Sequence, residues 1–144
     1  MDNPEFVVFI EQLLETENIP ANKICFEITE TAAIASMDSA LKFMQQLKKR
    51  GCSFALDDFG AGLSSFGYLK ALPVDFLKID GSFVRRLVES ESDRAIVRSA
   101  NEIGHVMGMK TVAEFVENKE ILQILKDIGI DYAQGYGIAM PEPM

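Results

Sequence analysis

The sequence has no apolar run near the ~20 residues that a membrane-spanning helix needs. Its first residues, M-D-N-P-E, lack the basic-then-apolar order of a secretory leader. Basic side chains are scarce: 14 Lys and Arg stand against 22 Asp and Glu, for a net charge of -8. That balance argues against DNA as a partner, because a phosphate backbone is held by a basic surface. It leaves room for a small phosphorylated ligand whose charge is met by metal ions. Only two cysteines and one histidine are present. Cys25 and Cys52 lie in apolar strand contexts and read as reduced core thiols, which points to a cytoplasmic location. His105 falls in a helix near its end, where a surface or dipole-stabilised role is expected rather than catalysis.

What is there is a chain of 144 residues, 48% hydrophobic and 25% charged, the make-up of one soluble domain or a piece of one. Asn3-Pro4 reads as a helix start, with Phe6, Phe9, Ile10, Leu13 and Leu14 at helical spacing. Residues 23–30 alternate as a strand, with Ile24, Phe26 and Ile28 on one face and Cys25, Glu27 and Thr29 on the other. A helix over 38–50 presents Ala40, Phe43, Met44 and Leu47 and stops at Gly51. The next strand runs through S-F-A-L-D-D from Ser53 into a glycine-rich loop, and a short helical piece (Leu63, Phe66, Leu69) follows. Residues 74–80 form a strand, 92–107 a helix burying Ile96, Ala100, Ile103 and Met107, and 110–114 a strand. Asn118 caps a helix carrying Ile121, Leu122, Leu125 and Ile128 up to Gly129. Residues 131–134 are a last short strand before a Gly-rich, Pro-ended tail. The run Glu89 to Asp93 reads as a solvated helix start. About five strands alternating with helices imply a parallel sheet with right-handed crossovers.

Each strand is apolar on one face and carries a polar side chain near its C-terminal end: Glu27, Asp57, Lys78, Glu114 and Gln134. In a parallel α/β sheet those ends share one rim, where loops and ligands meet. Asp57 and Asp58 are adjacent, and two neighbouring carboxylates need something positive to offset their repulsion and desolvation. A salt-bridge network centred on Lys78 is one answer, although pairing Lys78 with Asp57 leaves Glu27, Asp58 and Glu114 unmatched. A bound hard cation is the other, since carboxylates without Cys or His suit Mg²⁺ or Mn²⁺. Two such ions are a recurring solution for phosphodiester hydrolysis. A phosphoacceptor receiver domain also combines paired acids with a strand-end lysine, but its acidic pair ends the first strand, and here the order differs.

Several motifs together resemble the EAL-type cyclic-di-GMP phosphodiesterases of bacteria: F-E-I-T-E (Phe26 to Glu30), D-D-F-G-A-G-L-S-S (Asp57 to Ser65), L-K-I-D (Leu77 to Asp80), V-A-E-F-V-E (Val112 to Glu117) and Q-G-Y (Gln134 to Tyr136). The resemblance runs nearly end to end. It implies a modified TIM barrel that hydrolyses cyclic-di-GMP to linear pGpG with two Mg²⁺ or Mn²⁺ ions. Glu27, Asp57, Asp58 and Glu114 would be metal ligands, and Lys78 would hold the attacking water or the developing charge. Glu30 would fix the loop after Asp58, while Glu117 and Gln134 would support the site. The chain departs from the family at Phe115, where a glycine is usual, and at Ala61 and Leu63 in the loop.

The family's E-A-L and N-L-S strands, which would add further ligands, have no counterpart, nor does its final helix. A TIM barrel needs about 250 residues. The expected fold is therefore α/β, a partial TIM-type (β/α) barrel of about five parallel strands, with 1–144 as a single incomplete domain. Weak or no activity in isolation is expected. A homodimer through loop 58–69 or unpaired strand edges, and sensory or diguanylate-cyclase domains in a longer parent, are the expected partners beside cyclic-di-GMP. A non-catalytic role in binding the dinucleotide or another protein is the alternative.

Overall fold

A computed structural model describes residues 25–35, 37–59, 69–135 and 138–143. The helix expected from Asn3-Pro4, Ile24, and the helical piece around Leu63 and Phe66 lie outside the described residues. Six strands form one sheet in sequence order: β1 (Cys25–Thr29), β2 (Ser53–Phe59), β3 (Phe76–Ile79), β4 (Lys110–Val116), β5 (Tyr132–Gly135) and β6 (Ile138–Pro143). The first five are parallel, each paired with the next. Helices α1 (Glu30–Ala35) and α2 (Met37–Lys48) lead from β1 to β2. Helices α3 (Gly81–Val84) and α4 (Glu91–Val106) lead from β3 to β4, and α5 (Lys119–Ile128) from β4 to β5. A strand order that follows the chain, with helical crossovers, is the wall of a TIM-type barrel. Among the described residues that wall is open.

The outward side chains of the strands make the core with the helices. Phe54, Leu56, Leu77 and Ile79 are fully buried, as are Ala40, Met44 and Leu47 of α2. Phe26 stacks on Phe54 with ring centroids 5.6 Å apart, and Phe43 meets both rings edge-on at 5.9 Å. The caps are the expected ones. Asn118 accepts the Ile121 amide at 2.9 Å, and Gly129, at φ 99°, closes α5.

Four expectations are corrected. Ile96 is 39% exposed; α4 instead turns Val97, Ala100, Asn101 and Gly104 to the sheet. The reason is close contact: a Cβ on Gly104 would lie 2.9 Å from Thr111 Cγ2, and Thr111 donates its hydroxyl to Asn101 Oδ1 at 2.6 Å. A small residue and a buried hydrogen bond set the helix rotation, and that turns Ile96 outward. Cys25 is an exposed thiol rather than a core one, because it points to the concave face; Cys52 is buried as expected. Asp93 is buried in the first turn of α4, with Arg86 Nε 3.7 Å away. The tail contains β6, antiparallel to β5 with Pro143 opposite Tyr132. Proline is tolerated there because, among the described residues, β6 is an edge strand.

Opposite the C-terminal rim, a polar cluster ties α4 to the start of β4 and β5. Asp131 accepts the Thr111 amide at 2.8 Å and contacts His105 Nε2 at 2.7 Å. His105 is thus half exposed and structural, far along the strands from the acidic residues.

Candidate metal centre

The sequences of β2 and β4 share one pattern, apolar–acid–X–apolar, as L-D-D-F and A-E-F-V. The structure turns both into the same device. On β2, Leu56 pairs with Leu77 and Phe59 with Ile79, so Asp57 and Asp58 together face the single residue Lys78. On β4, Ala113 pairs with Ala133 and Val116 with Gly135, so Glu114 and Phe115 face the single residue Gln134. Each strand therefore carries one extra residue, a bulge. In each, the second residue has a left-handed backbone, Asp58 at φ 56° and Phe115 at φ 58°. This geometry breaks the strict alternation of faces, and it gives two consecutive side chains to the rim instead of one. Gly135 completes the second bulge: a Cβ there would lie 2.3 Å from the Val116 amide nitrogen, at a φ of 148°.

The bulges bring Asp57, Asp58 and Glu114 together, with one carboxylate oxygen from each within 4.8 Å of the others. Lys78 Nζ contacts Glu27 Oε1 and stands 3.7 Å from Glu114 Oε1. A cavity of about 230 Å³ is lined by Asp57, Lys78, Glu114, Phe115, Gln134 and Gly135.

Crowding of acids shows in their protonation. Burial, hydrogen bonding to Asp57 and the charge of Asp57 push the Glu114 carboxyl up to about 8. Burial and the neighbouring Asp57 and Asp80 raise Asp58 as well. Burial alone would lower the Lys78 ammonium; contact with Glu27 and the charges of Glu114 and Asp57 outweigh it and raise it. Without a cation, the crowding favours the protonated form of Glu114.

The residues fit a divalent ion. The donors are all oxygen, as hard cations require. Glu114 Oε1 is buried with no hydrogen-bond partner among the described residues, the Lys78 ammonium standing 3.7 Å away, so it is an acceptor with a coordination position open.

Of the residues expected from sequence, Asp57, Asp58, Lys78, Glu114 and Gln134 come together. Glu27 is adjacent but bound to Lys78, outside the three-carboxylate cluster. Lys78 thus pairs with Glu27 and Glu114 rather than with Asp57, the partner expected for a salt-bridge network. Glu30 is fully buried at the start of α1. Glu117 is exposed and faces Arg85, its Oε1 3.5 Å from Arg85 Nε, rather than the carboxylates. Phe115, expected as a bulky departure from the family glycine, does line the site, whereas Arg85 over its ring has no signal in the sequence.

Comparison with known proteins gives the family and the fold. Residues 1–141 match the EAL domain family. The chain is 51% identical over 138 residues to a cyclic di-GMP phosphodiesterase, PdeB, of Shewanella oneidensis, covering 96% of this chain and 16% of that protein. It is 42% identical to the cyclic di-GMP phosphodiesterase PdeA of Borreliella burgdorferi, over 100% of this chain and 22% of that protein. The chain thus spans about a fifth of the length of these curated relatives. Among solved structures, the PaMucR phosphodiesterase in complex with c-di-GMP superposes with a TM-score of 0.89 at 33% identity, covering 98% of this chain and 57% of that one. The Klebsiella pneumoniae BlrP1 manganese and cyclic-di-GMP complex gives 0.86 at 32% identity, over 96% and 36% of the two chains. With a barrel wall, a rim of carboxylates and this match over nearly all its length, the chain belongs to the EAL domain family.

Proposed function

We propose that this chain is the C-terminal part of a phosphodiesterase domain that hydrolyses cyclic-di-GMP to linear pGpG with two Mg²⁺ or Mn²⁺ ions. The observation that carries it is the convergence of Asp57, Asp58 and Glu114 oxygens within 4.8 Å on a barrel rim. Asp57, Asp58 and Glu114 would hold metal, and Glu27 would join them once released from Lys78. Bound ions supply water activation and charge neutralisation at the phosphoryl group. The protein's own residues do the rest. Lys78 stays protonated and sets a fixed positive charge beside the cavity. Glu114 gives up its proton when a cation takes the proton's place. Gln134 lines the cavity wall opposite the second bulge. Glu30 and Glu117 act at a distance, through the buried start of α1 and through Arg85.

The reading extends to the parent protein, in which sensory or diguanylate-cyclase domains would flank this one, and a second copy would pair through loop 58–69 or strand edges. The engagement of Glu27 by Lys78 favours a second reading, a domain that binds the dinucleotide without turning it over. One assay separates the two. The chain, and a form extended at both ends, are incubated with cyclic-di-GMP and Mg²⁺ or Mn²⁺, and pGpG is measured. Turnover in the extended form that is lost in Asp57→Ala supports catalysis. Tight binding with no turnover in that form supports the second reading.

A further inference from the structure

We infer that Phe115 is a further ligand-binding residue, a stacking platform for a nucleobase of the ligand whose phosphate the acidic site would hold through bound cations. The inference rests on the phosphodiesterase reading above and adds to it a residue outside the charged set. Three observations point the same way. Phe115 lines the same cavity as Asp57, Lys78 and Glu114, yet it is 47% exposed. Its backbone sits at φ 58°, a region that is costly for a bulky side chain and that marks functional positions when the surroundings hold it in place. The surroundings do hold it: Arg85 lies over the ring with its Cζ 4.6 Å from the centroid, and Gly81 leaves room for the ring edge. Arg85 is itself steadied by Glu117.

The contacts of Phe115 with Arg85 and Gly81 still leave the ring 47% exposed, and an apolar ring is no ligand for a metal ion. Its flat apolar surface offers nothing to a phosphate. It suits the one flat, polarisable part of a nucleotide, the base, and stacking of this kind tolerates any base. The equivalence of the two bulges sharpens the assignment. Asp58 and Phe115 occupy matching positions on β2 and β4, so one bulge gives the rim a second acid and the other gives it an aromatic. The acid side would take the phosphate through its cations, the aromatic side the base.

The test compares Phe115→Gly and Phe115→Tyr in the extended form of the protein, with cyclic-di-GMP and with a cyclic bis(ribose phosphate) that lacks both bases. Phe115→Gly removes the ring and relieves the backbone, so folding is retained. It is expected to raise KM for cyclic-di-GMP about tenfold with kcat changed less than threefold. The base-free diester is expected to lose far less than cyclic-di-GMP, so that the ratio of the two KM values changes about tenfold, and Phe115→Tyr restores that ratio. An unchanged KM in Phe115→Gly, with the unsubstituted protein active, overturns the inference alone. Equal losses on both substrates also overturn it, because the ring would then act on the geometry of the acids. An unsubstituted extended form that neither binds nor cleaves cyclic-di-GMP removes the phosphodiesterase reading and this inference together.

Discussion

The ring of Phe115 occupies the space that a side chain at position 81 would need. An ideal Cβ on Gly81 would lie 1.8 Å from Phe115 Cδ2 and 2.7 Å from Cε2. The two residues come from different strand ends, Gly81 opening α3 after β3 and Phe115 standing in the β4 bulge. Each is intelligible only beside the other.

That relationship predicts a specific coupling. Gly81→Ala should destabilise the protein by about 1–3 kcal/mol, the usual cost of overpacking. In a Phe115→Gly background the obstructing ring is gone, and most of that cost should vanish. Urea unfolding of the two single variants and the double variant measures the coupling. Strictly additive effects would show that the ring moves aside at no cost.

The carboxylate cluster predicts stabilisation by divalent ions. Mg²⁺ or Mn²⁺ at about 100 times its dissociation constant should add about 2.7 kcal/mol, since the folded state alone assembles the donors. The shift in thermal midpoint should disappear in Asp57→Asn and shrink in Glu114→Gln. Ca²⁺-free and chelator-treated controls give the baseline. A shift of the same size in Asp57→Asn would place the ion elsewhere.

The polar cluster on the opposite rim predicts an acid-side pH dependence. Burial would raise the Asp131 carboxyl, but the Thr111 amide and the His105 ring outweigh it and hold the group below its ordinary value of 3.8. A lowered folded pKa means that the unfolded chain binds the proton more readily. The contribution of Asp131 is therefore complete above pH 3.8 and is lost as the pH falls below that value through the folded one. Asp131→Asn should lower stability at neutral pH by about 1–3 kcal/mol, since it weakens hydrogen bonds to a charged acceptor. It should also flatten the decline on acidification. Unfolding midpoints at pH 7, 5 and 3 test both, and parallel curves for the two proteins would count against the assignment.

Much of this architecture was legible in the chain. Alternation placed Glu27, Asp57, Lys78, Glu114 and Gln134 on one strand face each, and Asn118, Gly51 and Gly129 marked helix ends that the structure keeps. Alternation failed at Asp58 and Phe115, because a bulge adds a residue that a period of two does not count. It failed at Ile96 because hydropathy ranks isoleucine above glycine and asparagine. Close approach to Thr111 and Leu77 requires a small residue at Gly104, and Asn101 has a partner in Thr111. It missed β6 because its prolines read as a terminus, while an edge strand admits them.

The βα order, the inward polar row and the acidic pair at Asp57-Asp58 follow from local period and residue type, and so they can be read along the chain. Three features arise on folding: the pair acquires Glu114 as a third oxygen donor, Lys78 sides with Glu27, and Phe115 packs against Gly81. Those are contacts between strand ends far apart in the chain, and they depend on sheet register and two matched bulges, which no local pattern encodes.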